Sequence, residues 1–163
     1  MNKRLFFVVV IMAVIVGFLI WRYSDAQIVK RQSDMLIKTL NIAGSETKSF
    51  RILKTNTFTN LLANSVTCRV DIANYRSNFS YDDLEAQHHL FVNNVDTSSL
   101  KANNMIINKL SDSEAKLSAD MSWSVTGKGV DRLSENGKLT LLWKKNTAGK
   151  WRITLMEING IDH

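Results

Sequence analysis

One long apolar run opens the chain, and the rest switches between helical and strand periods. From Leu5 to Trp21 the sequence reads LFFVVVIMAVIVGFLIW, without charge or proline, after Asn2-Lys3-Arg4 and before Arg22-Tyr23. At a rise of about 1.5 Å per residue, such a run just spans a hydrocarbon core as a helix. Residues 1–23 are therefore expected to form an N-terminal signal anchor, and residues 24–163 one domain held at a membrane surface. Ser24-Asp25-Ala26 is the best signal-cleavage candidate, but the apolar stretch is longer than that of a cleaved signal, so retention is the expectation. Lys3 and Arg4 before the run predict a cytoplasmic N-terminus and an extracytoplasmic domain at the inner membrane. Trp21, Arg22 and Tyr23 suit the membrane interface.

Beyond the run, Ile28, Met35, Leu36 and Leu40 fall near helical spacing. They predict an amphipathic helix over Ala26–Ala43, with Gly44 as its stop. Phe50, Leu53, Thr57 and Leu61 predict a second helix. Val66, Val70 and Ile72 predict a short strand between Ser65 and Ala73. Ser80 with Asp83 has the capping-box arrangement, and Leu84, His88, Phe91 and Val95 then mark one face of a helix from about Tyr81 to Asn94.

The remainder alternates with period two. Met105-Ile106-Ile107 makes one strand. Leu117, Ala119, Met121, Trp123 and Val125 oppose Ser118, Asp120, Ser122, Ser124 and Thr126, which predicts a strand with one buried and one wet or pocket-facing side. Asn136-Gly137 signals a hairpin turn, followed by Leu139, Leu141 and Trp143 on one face. Asn146-Thr147-Ala148-Gly149 turns again, before Trp151, Ile153 and Leu155. Helices first and hairpin strands later predict an α+β fold, with helices packed on a strongly curved antiparallel sheet.

Composition narrows this picture a little. The chain has 163 residues and a net charge of +6, two units of which belong to Lys3 and Arg4. One core fits that length. Cys68 is the single cysteine, which excludes an intrachain disulfide. The mild positive charge suits an anionic lipid surface or an acidic partner as well as a plain solvated surface.

The element order, ending in Gly149-Lys150-Trp151-Arg152-Ile153 after a hairpin turn, resembles the nuclear-transport-factor-2-like superfamily, also called cystatin-like. The resemblance spans roughly Gln27 to Ile158. It implies a bent sheet wrapped around helices into a cone, and a function anywhere between isomerase, hydrolase and scaffold. With an anchor in front, the chain is also similar to the inner-membrane assembly subunit of type IV secretion systems.

Enzymes of that superfamily place an Asp, Tyr or His at the open end of the cone, so the resemblance makes Asp71, Tyr75, His88 and Asp120 the positions to examine. Asp120 lines the cavity only if its polar face is concave; otherwise it is a solvent-facing residue on an amphipathic strand. His88 and His89 diverge by about 100° on a helix, which does not suit a shared metal. No zinc, calcium or redox spacing occurs in the sequence. Gly127-Lys128-Gly129 lacks the phosphate-loop spacing and reads as a β-turn. Lys144, Lys145, Lys150 and Arg152 gather around the last hairpin and suit lipid headgroups or an acidic subunit; no nucleic-acid motif accompanies them.

The reading favoured by these features is a membrane scaffold or assembly subunit without catalysis or cofactor, partnered by the bilayer and by other subunits or its own copies. The alternatives are a tethered enzyme or small-ligand binder using the cone cavity, and a secretion-system subunit.

Overall fold

The structure is a computed structural model that describes residues 11–19, 24–70 and 75–160. Residues 11–19 are helical (α1) and their side chains are exposed. Among the described residues no helix is long and apolar enough to cross a membrane. Part of the expected span, residues 5–10 and 20–21, lies outside them.

Three helices and six strands follow: α2 (Asp25–Leu40), α3 (Lys48–Thr59), β1 (Leu62–Val70), β2 (Tyr75–Ser80), α4 (Tyr81–Asn94), β3 (Val95–Lys109), β4 (Glu114–Gly127), β5 (Val130–Lys145) and β6 (Trp151–Gly160). The strands form one sheet in the order β2-β1-β6-β5-β4-β3. Strands β3 to β6 run as successive antiparallel hairpins, the expected succession, though β3 extends far beyond the short strand expected at Met105-Ile106-Ile107. The expectation of a purely antiparallel sheet is corrected: β1 lies parallel to β6. The long helical connection between β2 and β3 makes this possible, because the chain crosses the helical layer before it returns.

α2 ends earlier than Gly44. Asn41 caps it in extended backbone, and its side-chain amide bonds the backbone of Leu100 on β3 in both directions. Ile42 then bridges Ser98, so the chain leaves the helix by joining the sheet edge. α3 forms where expected, with the Thr47 hydroxyl accepting from Phe50 N–H at its start. Its inward face, however, is Thr55, Phe58 and Thr59, while Phe50, Ile52 and Leu53 stand half exposed outside. The Ser80–Asp83 capping box of α4 is present in both halves. Strand β2, with no clear alternation of its own, was not expected; it pairs with β1 from Tyr75 to Ser80.

The Asn136-Gly137 turn is also corrected. Both residues lie inside β5, with Asn136 opposite Ser122 and Gly137 opposite Met121 on β4. Gly137 also faces Gly160 on β6, and a Cβ there would stand 2.5 Å from the Asn159 carbonyl oxygen. The glycine is required by strand approach rather than by a turn. The turn itself is Lys128-Gly129, where Gly129 has φ of 79°.

The core fills the space between the helices and one face of the sheet. Ala115, Leu117, Ala119 and Met121 alternate inward on β4, joined by Leu139, Leu141 and Trp143 on β5 and by Trp151 and Ile153 on β6. Trp143, Leu141 and Ile153 are fully buried. Each large apolar side chain so placed contributes on the order of 1.5–3 kcal/mol. A bulge opposite the Leu142–Trp143 step shifts the parity of β6, so Leu155 pairs with Leu142 while Met156 and Ile158 join the core.

Candidate functional site

His88 is the most perturbed polar group in the interior. The α4 spacing that aligns it with Leu84 turns it toward α3, where it is buried with 3% exposure. Its ring stacks on Phe58 at a centroid distance of 4.3 Å, and Thr55 Oγ1 lies 3.0 Å from Nδ1. Phe91 is tilted against the ring and leads on to Trp123, whose indole N–H donates to the buried Ser98 hydroxyl. Among the described residues His88 Nε2 makes no hydrogen bond of ordinary geometry. Burial holds the imidazole pKa down at about 4; the Thr39 carbonyl pulls the other way, and the charges of His89 and Lys54 add to the depression. His88 is therefore neutral at physiological pH, shared with a hydroxyl and clamped by aromatic rings. A neutral imidazole is able to act as a base by itself; a carboxylate partner would orient it and stabilise its charged form. Among the described residues no Asp or Glu is buried.

Asp120 stands exposed on the outer face of β4, away from the helices. It accepts from Asn104 Nδ2 at 2.8 Å on the neighbouring strand. The face it shares with Ser118, Ser122 and Ser124 is the wet one, so Asp120 does not enter the interior. Asp71, Trp21, Arg22 and Tyr23 lie outside the described residues, and of Tyr75 only the backbone is described, at the start of β2. Cys68 is half buried against the core, and burial pushes its thiol up to about 11, which suppresses the thiolate.

Of the basic residues of the last hairpin, Lys145 meets an acid that the pattern analysis treated only as part of a cleavage candidate. Asp25, in the first turn of α2, accepts from the Trp151 indole at 3.2 Å and pairs with Lys145 at 3.0 Å and Lys109 at 3.4 Å. Desolvation raises the Asp25 pKa, but bonds from Lys145 and Trp151 outweigh it and leave the carboxyl below its ordinary value. Lys145 also lies over the Trp151 ring, 5.0 Å from its centroid. Lys144 pairs across the strands with Glu114 at 2.6 Å. Arg152 donates through one nitrogen to the Trp151 carbonyl, and Lys150 is exposed on the turn. No cue in the spacing joined Asp25 to a hairpin at the other end of the chain.

A second feature that the pattern analysis missed is the outer face of α3. Phe50, Ile52 and Leu53 are each exposed by 50% or more, and Met35 of α2 lies beside Phe50 and Leu53. The helical spacing of Phe50 and Leu53 marked a helix but not which side would be buried.

No family model matches the sequence, and no curated protein matches it either. Solved structures do match in fold. A candidate dehydratase of the NTF2-like family from Streptomyces avermitilis is 10% identical with a TM-score of 0.64, over 85% of this chain and 97% of that one. An uncharacterised protein with a cystatin-like fold from Caulobacter vibrioides is 10% identical with a TM-score of 0.64, over 83% and 88%. A candidate aromatic ring hydroxylase from Novosphingobium aromaticivorans is 8% identical with a TM-score of 0.68, over 85% and 90%. At such identities the likeness establishes the fold alone. The described domain has the cystatin-like, NTF2-like α+β fold that the element order and the last strand suggested.

Proposed function

We propose that this chain is a membrane-anchored scaffold or assembly subunit that acts through protein contacts rather than catalysis. The observation that carries this reading is the contrast between inside and outside. The interior is filled by Trp143, Trp151 and the Phe58–His88 stack with no buried carboxylate among the described residues, while Phe50, Ile52 and Leu53 face outward. Apolar side chains grouped on a surface favour association with another chain. The anchor follows from the run Leu5–Trp21, with the domain on the extracytoplasmic side of the inner membrane. Retention of the run is supported by Asp25, because cleavage after Ala26 would remove the acid that holds Lys145 and Lys109.

The test is co-purification from the native membrane with Leu53→Asp beside the parent chain. The reading predicts stoichiometric partners, or further copies of this chain, with the parent and their loss with the variant at unchanged domain melting. Identical recovery with both would remove the helix face from the reading.

A second reading is a tethered enzyme or small-ligand binder. The buried Nε2 of His88, without a hydrogen bond of ordinary geometry among the described residues, favours it, as do the names of the neighbouring dehydratase and hydroxylase candidates. It requires a ligand that reaches His88, and turnover of a hydratable or isomerisable substrate that disappears in His88→Gln.

A further inference from the structure

An open groove of about 550 Å³ lies between the start of β1 and the β5–β6 hairpin. Leu62 and Ala63 contribute to its apolar lining, and Asn64, Ser65, Lys144 and Arg152 to its polar lining. Lys145, Asn146, Thr147 and Thr154 complete it, and among the described residues no carboxylate lines it. Lys144 and Arg152 are register partners on adjacent strands. Like charges directly opposite one another in a sheet repel and destabilise the pair. The acids nearby relieve this only in part, through Glu114 on Lys144. Glu114 takes Lys144 and Asp25 takes Lys145, both from outside the groove, and among the described residues no acid pairs with Arg152. One Arg152 nitrogen is used on the Trp151 carbonyl, which orients the guanidinium and leaves its other donors available. The Asn64 amide and the Ser65 hydroxyl add neutral donors.

We propose that this groove binds a phosphate group, held by the guanidinium of Arg152 and the ammonium of Lys144 with Asn64 and Ser65 as further donors. A planar guanidinium beside an ammonium and neutral donors is the combination that recognises a tetrahedral oxyanion. The source of the phosphate follows from position. Lys145 of the groove is joined through Asp25 to the first turn of α2, a few residues after the apolar run. If that run is an anchor, the groove is tethered close to the bilayer, and the phosphate is that of an anionic phospholipid headgroup. This last step rests on the anchor proposed above; the oxyanion site does not.

The test is a titration of the full-length chain in dodecyl maltoside micelles, followed by the NMR signals of the Asn64, Ser65 and Thr147 amides and of Arg152 Nε. The probes are inorganic phosphate and dihexanoyl phosphatidylglycerol, each against sodium chloride at matched ionic strength. A saturable shift of these four signals by both probes is expected. Arg152→Gln should weaken binding by about tenfold or more, as loss of a charge-assisted contact does. Lys144→Gln, at an exposed position, provides a second variant that should also weaken it if the first disturbs the strand. Saturation by phosphate alone would support the oxyanion site and assign it to a soluble phosphate compound. No saturable shift with either probe, or the same shift with chloride, would overturn the proposal. Neither result changes the native mass of the assembled protein, so failure here is distinguishable from failure of the scaffold reading.

Discussion

His88 shows how a single residue is governed by its surroundings. The folded chain holds its imidazole neutral down to about pH 4, whereas an unfolded chain protonates it near the ordinary 6.5. Between those values the unfolded state binds the extra proton, so stability falls as pH drops through this window and levels off below it. The loss reaches at most about 3 kcal/mol, and urea midpoints measured across the window should follow it. His88→Phe should flatten that slope while preserving the stack on Phe58; an unchanged slope would mean that another group titrates. Thr55→Val should cost about 1–3 kcal/mol by leaving Nδ1 buried without its partner. Part of this was legible in the sequence. The spacing of Leu84, His88 and Phe91 put His88 on the buried face of α4. Its partner was not, because Thr55 comes from a different helix whose apolar stripe, Phe50 and Leu53, points outward. Spacing identifies a period; only packing decides which side of the period is covered.

Elements follow the same division. Ser80 and Asp83 act within one turn, and the helix they cap was found at its observed ends. The alternation of β4 was equally clear, because one of its faces meets the core and the other meets water. What failed depended on distant chain. The Asn41 cap is completed by Leu100, and the parity shift in β6 comes from a bulge opposite β5. Asn136-Gly137 has the composition of a turn, yet both residues pair with β4 and Gly137 pairs with β6 as well. Two substitutions separate the readings. Gly137→Val should cost about 2 kcal/mol or more, since its Cβ would meet the Asn159 carbonyl. Asn136→Ala, at an exposed strand position, should change stability by less than about 0.5 kcal/mol. Thermal unfolding of the two variants checks this; a turn at these residues would make Asn136→Ala the costly one of the pair.

At the scale of the whole molecule, helices and one face of a six-stranded sheet enclose a core made of the chain's own aromatic and aliphatic side chains. The two surfaces with unmet chemistry, the apolar flank of α3 and the basic groove beside β6, both lie outside that core. Those two surfaces are what the proposed scaffold reading would use for contacts with partners. The candidate site was only partly legible for a related reason. Lys144, Lys145, Lys150 and Arg152 are close in sequence and could be grouped by inspection, whereas Asp25, Asn64 and Ser65 reach them only through the fold. The most direct measurement is the native mass of the full-length chain, gently extracted from its own membrane, with co-purifying chains identified. A scaffold predicts a mass well above that of one chain, made up by partners or further copies in fixed ratio. A lone monomer with no companion would contradict it and turn attention to His88 and the interior.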